Sequence, residues 1–460
     1  MLKLFNSLSR QIEEFKPISP DQVGFYACGP TVYDYAHIGN LRTMILSDLI
    51  RRSLEYNGFA VTHIMNITDV GHLSGDQDFA EDKMEKSAKT PEDVMAIAEK
   101  FTQVFFDDLK ALNILPADKY PKATHHIQEQ VDLIGKLIEK GFAYESDEAV
   151  YFDVAKFPSY NQLTGQNLDD MLLGARQEVV RDPKKKNPID FVLWFKAVGR
   201  YQNHIQRWPS PWGEGFPGWH IECSAMSAKY LGQPFDIHSG GVDLKFPHHT
   251  NEIAQSEAVS GVALAKYWIH GEFLLIDQGK MAKSEGNFLT LKSLVDKGFN
   301  PLAFRYLVLT SHYRSKLNFT WDSLTAAQNA LNNLYSEVST FDPNGKTIPE
   351  YEQKFNDAIN NDLETPQALA TAWDLLKSEH ESADKLATLI EFDKILGLKI
   401  QETWENSHDV PDSVQKLVAE REQARKDKDF ARSDELRKEI ESQGYTLEDT
   451  LDGGKIKKKF

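Results

Sequence analysis

Near its N-terminus the chain carries a strand–turn–helix–strand pattern, which constrains the fold more than any other feature. Residues 23–27 are a short apolar strand candidate that leads into a Gly-Pro turn. Apolar residues then recur at helical spacing from Leu41 to Leu54, and a second apolar segment covers residues 61–67. This order predicts a βαβ unit, which builds parallel sheets. We therefore expect an α/β fold with a Rossmann-like parallel-sheet core, whose ligands bind beyond the carboxyl ends of the strands.

The remaining patterns predict an insertion into this core and further domains after it, since 460 residues exceed a single hydrophobic core. Residues 92–140 have helical periodicity, whereas residues 144–217 have short strands with many prolines and glycines. Returning strands are expected at 235–238 and 273–276, and the chain becomes helical from about Asp322. The predicted division is the first half of the core (1–143), a connective insertion (144–217), the second half of the core (218–287), a linking region (288–330), an α-helical bundle (331–400) and a small C-terminal domain (401–460).

Only two cysteines occur in the chain, and each lies in a dense polar string. Cys28 opens the string CGPTVYDYAHIGN, and Cys223 lies in GWHIECS, upstream of HHTNE. Two thiolates, a histidine and a carboxylate form a plausible Zn²⁺ ligand set. If HHTNE is helical, His248 and Glu252 are i, i+4 neighbours on one face, but His249 and Glu252 at i, i+3 would also fit. Two buried structural cysteines and a capping histidine pair are the alternative.

Two further strings indicate a site for nucleotide phosphates. In HIGN, His37 and Asn40 can donate hydrogen bonds to phosphate oxygens, and Gly39 permits close approach to a helix N-terminus. In GKMAKSEG, Lys280 and Lys283 lie on a glycine-flanked loop that can close over a triphosphate and stabilise charge as pyrophosphate departs. An ordinary helix cap and a solvated loop are the alternatives. A metal that prefers sulfur, next to a phosphate site, indicates chemistry on a thiol substrate with ATP.

Composition limits the partners and the compartment. No apolar run approaches the ~20 residues of a membrane span, and the N-terminus lacks a signal-peptide pattern, so we expect no membrane partner. Two cysteines cannot staple a chain of this size, which predicts a reducing, cytoplasmic compartment. A formal net charge of −17 argues against indiscriminate nucleic-acid binding. Binding through local basic patches, such as residues 184–186 or the terminal lysines, remains compatible with it.

Taken together, these strings resemble the class I aminoacyl-tRNA synthetases, whose signatures are a His-Ile-Gly-His string and a Lys-Met-Ser-Lys-Ser string. More narrowly, the chain resembles the cysteinyl-tRNA synthetases. The resemblance is carried by CGPTVYDYAHIGNLRT, GFPGWHIECSAM, SGGVDLKFPHHTNEIAQS and GKMAKSEGN, and by residues 423–450 near the C-terminus. It therefore covers nearly the whole chain, and it implies that the small C-terminal domain (401–460) binds the anticodon.

The resemblance also implies an activity and a set of site residues. L-cysteine would be activated with ATP, with Mg²⁺ on the phosphates, and then transferred to the terminal adenosine of tRNA(Cys) by a monomeric enzyme. The implied ligands of one Zn²⁺ per chain, which would select the substrate thiol, are Cys28, Cys223, His248 and Glu252. The implied ATP-binding residues are His37, Gly39, Asn40, Asp243, Lys280 and Lys283, of which His37, Asn40, Lys280 and Lys283 would be catalytic. The implied amino-acid pocket consists of Gly29, Thr31, Thr68 and Trp219.

The chain departs from the family pattern at a few positions. Asn40 replaces the last histidine of its signature and keeps a donor, and Ala282 replaces a serine of the lysine string. DVGHL at residues 69–73 replaces a commoner acidic string, and no tryptophan follows LEDT. The alternative functions are a ligase that joins cysteine to a small aminosugar, and a non-catalytic zinc- or RNA-binding relic. The first would lack the C-terminal module, and the intact site residues disfavour the second.

Overall fold

The computed structural model describes residues 1–70, 88, 90–166, 185–276, 279–280, 288–409, 411–450 and 453–458. The helices in these ranges are α1 (Ile38–Tyr56), α2 (Pro91–Ala111), α3 (Ile127–Glu139), α4 (Trp219–Leu231), α5 (His248–Ser260), α6 (Leu291–Val295), α7 (Pro301–Leu309), α8 (Trp321–Val338), α9 (Pro349–Ile359), α10 (Thr365–Lys377), α11 (Ser382–Leu396), α12 (Ile400–His408), α13 (Asp412–Lys426) and α14 (Phe430–Ser442). The strands are β1 (Lys3–Asn6), β2 (Gln11–Glu14), β3 (Gln22–Ala27), β4 (Ala60–Met65), β5 (Ala143–Glu145), β6 (Ala149–Phe152), β7 (Phe191–Lys196), β8 (Gly215–Pro217), β9 (Phe235–Gly241), β10 (Ala265–Gly271), β11 (Leu274–Ile276), β12 (Gly279–Lys280), β13 (Leu317–Phe319), β14 (Tyr445–Thr450) and β15 (Gly453–Lys458).

A parallel sheet in the order β10-β9-β3-β4 confirms the expected Rossmann-like α/β fold. Strands β3 and β4 are buried mainly in their carboxyl halves, and every residue of β9 is buried, including the polar Asp236, His238 and Ser239. Helix α1 joins β3 to β4, and α5 joins β9 to β10. The two βαβ units therefore diverge from the central pair β3–β9. This arrangement makes a topological switch point, where open α/β sheets bind their ligands.

Helix α1 begins at a reciprocal cap. His37 Nδ1 accepts a hydrogen bond from the backbone N–H of Asn40 at 3.1 Å, and Asn40 Oδ1 accepts one from the N–H of His37 at 3.2 Å. The apolar residues from Leu41 to Leu54 that predicted this helix are buried along it. The cap fixes the point where the chain turns from the carboxyl end of β3 into the helix.

The predicted helical region 92–140 is interrupted and forms two helices, α2 and α3. Asn113, just after α2, adopts a left-handed φ of 53°, which ends the helix. The chain that follows runs beside β4 in extended form, and the N–H of Met65 donates to Lys119 O at 3.1 Å. Tertiary pairing with the sheet therefore overrides helical periodicity in this segment.

The second returning strand of the parallel sheet is β10, not the predicted segment 273–276. Strand β10 pairs in parallel with β9, from Ala265 opposite Phe235 to Gly271 opposite Gly241. Strand β11 instead belongs to a separate sheet in the order β12-β11-β13 and is antiparallel to β12. A short apolar segment fits either sheet, so its pattern alone does not decide between them.

An antiparallel sheet in the order β5-β6-β7-β8 occupies the part of the chain between the two βαβ units. Aromatic side chains stabilise it, as in the stacked pair Phe152 and Phe191, whose ring centroids lie 5.0 Å apart. The segment predicted as an insertion, 144–217, contains most of this sheet.

The chain forms two compact units. The first consists of Met1–Ser293 with Tyr313–Asn318 and Asn360–Leu363, and it contains the parallel sheet. The second unit is mainly helical and ends in the hairpin β14–β15. Within it, the fully buried Arg305 donates from Nε to Leu396 O at 2.6 Å, which ties α7 to the end of α11. In the described ranges, no helix has both the length and the apolar character needed to traverse a lipid bilayer.

One core residue of the parallel sheet is a histidine with an unusual environment. The ring of His63, in β4, stacks on Phe25 with centroids 4.4 Å apart, and neither of its ring nitrogens has a hydrogen-bond partner among the described residues. Burial, with a contribution from nearby Arg51, lowers the pKa of His63 to about 3, although the charges of Asp118 and Asp48 oppose the shift. The folded protein therefore holds the neutral ring, and protonation favours unfolding.

His63→Leu is expected to remove this acid sensitivity. The unfolded histidine has a pKa of 6.5, so the wild type loses stability as the pH falls from 6.5 towards 3, and the variant does not share that loss. The difference in free energy of unfolding, variant minus wild type, should be about 2 kcal/mol larger at pH 5 than at pH 7.5. Urea unfolding at both pH values measures the difference. Phe25→Leu, which removes the stacked ring but no titrating group, is the control. The difference between Phe25→Leu and the wild type should be the same at both pH values. If the difference between His63→Leu and the wild type is also the same at both, the explanation is wrong.

Candidate metal centre and adjoining pocket

The four side chains predicted as metal ligands come together beyond the carboxyl ends of the central strands. Cys28 directly follows β3, Cys223 lies on α4, and His248 and Glu252 lie on one face of α5. All four are buried, and their ligand atoms lie within 4.8 Å of one another. Glu252 Oε1 is 3.1 Å from His248 Nε2 and 3.9 Å from Cys28 Sγ. This group of side chains could hold a metal ion.

The electrostatics of the cluster favour a bound cation. Burial alone would raise the pKa of Glu252, but His238 and His248 lower it to about 2. Burial would likewise lower the pKa of His248, but Glu252 and Cys223 raise it to about 10. Burial raises the pKa of Cys28, and its hydrogen bond to Cys223 lowers the pKa of the Cys223 thiol. The Glu252 carboxylate is thus already ionised, whereas the Cys28 thiol and the His248 imidazolium retain protons that a metal ion would displace on binding.

A second set of potential ligands shares two members with the first. Cys28, His238, His249 and Glu252 also offer ligand atoms that lie within 4.8 Å of one another. His249 Nε2 lies 3.2 Å from Cys28 Sγ, and His238 Nε2 lies 2.9 Å from Glu252 Oε2. The i, i+3 pair of His249 and Glu252 is looser, since Nε2 and Oε1 are 4.0 Å apart. Both pairings left open by the sequence are therefore near the same point in space.

Further histidines extend this cluster into the core. His249 Nδ1 lies 2.8 Å from His270 Nε2, and His270 Nδ1 lies 2.8 Å from Ser7 Oγ. On the other side, His220 Nδ1 lies 2.9 Å from His248 Nδ1. Histidines bound to a metal commonly use their second nitrogen in this way, which fixes both the tautomer and the ring orientation.

Three residues predicted to line an amino-acid pocket lie at adjacent strand ends. Gly29 and Thr31 follow β3, Thr68 follows β4, and Thr31 forms a parallel bridge with Thr68. The N–H of Gly29 donates to Asn66 Oδ1 at 2.9 Å. A Cβ atom at position 29 would lie 1.7 Å from Asn66 O, so only glycine fits.

Helix α4 brings further side chains to the same place. The ring of Trp219, the fourth predicted pocket residue, packs on the imidazole of His248 with centroids 4.5 Å apart. Next to Cys223, the fully buried Glu222 accepts a hydrogen bond from Thr68 Oγ1 at 2.9 Å. One helix thus carries a potential metal ligand and two side chains that contact the other predicted groups.

The N-terminus of α1 has the features of a phosphate site. The first turn carries no acidic residue, so the positive end of its dipole is not neutralised, although the N–H of Ile38 donates to Leu289 O and that of Asn40 to His37 Nδ1. Because His37 Nδ1 accepts from the Asn40 N–H, the neutral ring of His37 carries its proton on Nε2 and can donate there. Burial lowers the pKa of His37, although the charge of Asp243 opposes this. His37 is thus a helix cap, and capping leaves it a donor for phosphate. A Cβ atom at position 39 would lie 2.9 Å from the ring of His37. Because residue 39 is glycine, no side chain stands between that ring and the start of α1.

The lysine string is only partly within the described residues. The backbone of Lys280 lies in β12, opposite Leu275, while Lys283 and Ala282 lie outside the described residues, as do residues 71–73 of DVGHL and Lys184. Beyond the string, the chain returns to the start of α1, where Thr290 forms a bridge with His37. The fold therefore brings the residues that follow the lysine string next to the HIGN string.

Four side chains of the site carry little sequence signal: His238, His270, Asn66 and Glu222. His238 and His270 lie inside buried strands, where a histidine resembles an ordinary core position. Asn66 and Glu222 stand next to predicted site positions, two residues before Thr68 and one before Cys223. Asn66 directly follows a predicted strand and Glu222 lies within the cysteine string, so their proximity to predicted site residues could have indicated both of them.

Comparison with protein families and known proteins is consistent with this geometry. The family described as the catalytic domain of tRNA synthetases class I (C) matches residues 14–329, and the cysteinyl-tRNA ligase anticodon binding domain matches residues 407–455. Cysteine–tRNA ligase 1 of Burkholderia lata is 48% identical over 457 residues, covering 99% of this chain and 96% of that protein. The cysteine–tRNA ligase of Treponema denticola is 43% identical, covering 97% of this chain and 98% of that protein.

A solved structure supports the fold. Methionyl-tRNA synthetase of Mycobacterium tuberculosis, in complex with methionyl-adenylate, aligns with a TM-score of 0.56 at 14% identity. The alignment covers 83% of this chain and 91% of that one. At this identity the likeness concerns the fold alone.

His238→Phe is expected to weaken metal binding. The substitution keeps a ring against Trp268 but removes the N–H group that holds Glu252 Oε2. Loss of such a supporting hydrogen bond typically weakens metal affinity by about 10–100-fold. Titration of Zn²⁺ against a chromophoric chelator measures the affinity. The control is His126→Phe, which alters a buried histidine outside the cluster and should leave the affinity near that of the wild type. Equal weakening in both variants would show that His238 matters only for folding.

Proposed function

The chain belongs to the cysteine–tRNA ligase family of class I aminoacyl-tRNA synthetases, and on this premise we propose how its own residues perform the reaction. The enzyme activates L-cysteine with ATP and transfers the cysteinyl group to the terminal adenosine of tRNA(Cys). Both family matches and relatives that align over nearly the full chain support this function. The single observation that carries the proposal is the buried cluster of two thiols, an imidazole and a carboxylate beyond the carboxyl end of β3.

We propose that Cys28, Cys223, His248 and Glu252 bind one Zn²⁺. Tetrahedral Zn²⁺ has bonds of about 2.0–2.3 Å, which place its ligand atoms about 3.3–3.8 Å apart. The distances of 3.1 and 3.9 Å from Glu252 Oε1 bracket this spacing. The set with both cysteines is preferred to the one with His238 and His249, because thiolates select Zn²⁺ over the harder divalent ions. His238 and His249 then act as supports for Glu252 and Cys28.

Zinc would bind the substrate thiolate and so distinguish cysteine from serine, whose hydroxyl is a much poorer ligand. A pocket that relies on apolar contacts alone rejects such a close analogue only weakly. The amino-acid pocket would be completed by Gly29, Thr31, Thr68 and Trp219, which the fold gathers around the metal ligands. Selection by the metal makes a separate editing reaction unnecessary.

ATP would bind with its phosphates at the start of α1. There the side chains of His37 and Asn40, with the N–H of Gly39, would contact phosphate oxygens, and Mg²⁺ would be held mainly by the phosphates and water. Asp243 would hold the ribose hydroxyls or the substrate ammonium, and Lys280 and Lys283 would stabilise the leaving pyrophosphate. The substrate carboxylate is already ionised near neutral pH, so its attack on the α-phosphorus requires alignment rather than a general base.

The second step requires tRNA, and residues 401–460 are proposed to bind its anticodon. The match of residues 407–455 to an anticodon binding domain supports this assignment. It also disfavours an aminosugar ligase, which would lack that module. The division into core halves, insertion, linking region, bundle and C-terminal domain is kept with the boundaries given above. A monomeric, cytoplasmic enzyme is proposed, and the two unbridged cysteines are consistent with a reducing compartment.

Cysteine-dependent exchange of ATP and pyrophosphate tests the activity. We expect exchange with cysteine, much weaker exchange with serine, and formation of cysteinyl-tRNA when tRNA(Cys) is added. Exchange without tRNA charging, combined with product formation on an aminosugar acceptor, would favour the alternative ligase. Absence of exchange with every amino acid would indicate a non-catalytic relic.

Cys223→Ser is expected to lower both zinc content and the preference for cysteine over serine. Serine keeps the shape of the side chain but replaces a soft sulfur ligand by a hydroxyl, which binds Zn²⁺ poorly. Metal content is measured by elemental analysis, and the preference by exchange with each amino acid. Ser227→Ala is a suitable control, because it changes another fully buried side chain of the same helix outside the cluster. A variant with full zinc content and unchanged preference would refute the ligand assignment.

A further inference from the structure

Helix α1 carries a buried arginine two residues after the HIGN string. Arg42 is only 4% exposed. Its Nη1 donates to Glu272 O at 2.8 Å and to Phe273 O at 2.6 Å, and its Nη2 donates to Ser315 O at 2.5 Å. Burial lowers the pKa of Arg42 to about 10, although the charge of Glu272 opposes the shift, so the guanidinium is charged near neutral pH. One planar group thus holds carbonyl oxygens from two separate segments of the chain.

These two segments lead into the small antiparallel sheet in which the lysine string begins. Glu272 and Phe273 directly precede β11, which pairs with β12, and Ser315 lies two residues before β13. The backbone joins the segments to each other, since Phe273 O also accepts from the N–H of Leu317 at 3.1 Å. Arg42 therefore ties α1 to the place where β11 and β13 begin.

The chain that follows the lysine string is attached to the same part of α1. The N–H of Ile38 donates to Leu289 O at 2.9 Å, and His37 forms a bridge with Thr290. Ile38 and Arg42 are i, i+4 neighbours on one side of the helix. The backbone at the start of α1 thus holds the chain after the string, and the Arg42 side chain holds the chain before it. Both attachments lie within two turns of the proposed phosphate site.

We propose that Arg42 is a positioning residue for adenylate formation, because it sets the place of the lysine string relative to phosphates at the start of α1. This inference rests on the proposed function, in which Lys280 and Lys283 stabilise the leaving pyrophosphate. Such stabilisation requires that the positive charges already stand where negative charge develops. The candidate metal ligands lie after β3 and on α4 and α5. Loss of Arg42 should therefore impair the step at the phosphates and spare the metal site.

A buried carboxylate holds the segment that contains Ser315. Asp362 is 1% exposed, and its Oδ1 accepts from the hydroxyl of Tyr313 at 2.6 Å. Its Oδ2 accepts from Nε of Arg314 at 2.7 Å. Asp362 thus fixes the two residues directly before Ser315, whose carbonyl oxygen Arg42 binds. The guanidinium therefore meets an acceptor whose own position is held by side chains.

Arg42→Lys tests the proposal. Lysine keeps the charge, but its ammonium group cannot reproduce the planar fork that spans two segments. In ATP–pyrophosphate exchange with cysteine we expect kcat to fall about 100-fold, as for displacement of catalytic groups by about 1 Å. The KM for cysteine and the affinity for Zn²⁺ should stay at the wild-type values. The matched control is Arg52→Lys, which alters another buried arginine of α1 that donates to a backbone carbonyl, Asn113 O at 2.7 Å, and it should keep the wild-type kcat.

Two further variants keep the proposal testable if Arg42→Lys folds poorly. In Arg42→Ala, guanidinium chloride at concentrations too low to unfold the protein should restore part of kcat. Ammonium chloride at the same concentration should not, because its ion lacks the planar set of donors. Asp362→Asn leaves Arg42 intact but weakens the hold on the segment with Ser315, and it should lower kcat by a smaller factor while sparing the KM for cysteine.

The contrary outcomes are distinguishable. Wild-type kcat in Arg42→Lys or in Arg42→Ala without added guanidinium would overturn the proposal. Parallel losses of kcat, cysteine binding and Zn²⁺ affinity, alike in Arg42→Lys and Arg52→Lys, would overturn it too, because the arginine would then serve folding alone. Absence of cysteine-dependent exchange in the wild type would overturn the proposed function, and this inference with it.

Discussion

The site depends on the stabilisation of one buried carboxylate. Glu252 has no exposed surface, and an isolated carboxylate in such a place would take up a proton. It stays ionised because His238 and His248 each contact one of its oxygens, and these histidines come from different elements, β9 and α5. The arrangement exists only because the sheet places β9 next to β3, which brings Cys28 to the same point. The local fold, the charge of the site and the position of the candidate metal ligands therefore depend on a single set of contacts.

Proximity to this carboxylate explains how the rest of the site is organised. The second nitrogens of His248 and His249 are bonded to His220 and His270, and His270 is bonded in turn to Ser7, so that these rings cannot rotate freely. The neighbouring hydrogen bonds that run from the Gly29 N–H through Asn66 and Thr68 to Glu222 hold those side chains in the same manner. Such preorganised polar networks bind ligands without rearrangement of the protein at the moment of reaction. At the start of α1, the proposed phosphate site, the hydrogen bond between His37 and the N–H of Asn40 likewise fixes the ring.

The sequence predicts much of this arrangement, for identifiable reasons. The βαβ unit is recognisable because buried parallel strands are continuously apolar, and α1 because its cap and its apolar period coincide. The four candidate ligands stand out because cysteine is rare in this chain. Strand β10 and the break between α2 and α3 were not predicted, since both depend on pairing with distant strands. The roles of His238 and Glu222 depend on atoms that meet only after folding, and no local pattern encodes such contacts.

The separation of the metal ligands along the chain has a consequence for biosynthesis. Cys28 is translated early, but Cys223, His248 and Glu252 follow roughly half a chain later, with the insertion and its own sheet in between. Contacts of such long range form slowly, because the intervening polypeptide must first be closed into a loop. On the ribosome, the edge of β3 that pairs with β9 and the thiol of Cys28 therefore remain without their partners until the chain up to α5 has been synthesised. The candidate metal site is therefore completed late in the folding of this enzyme.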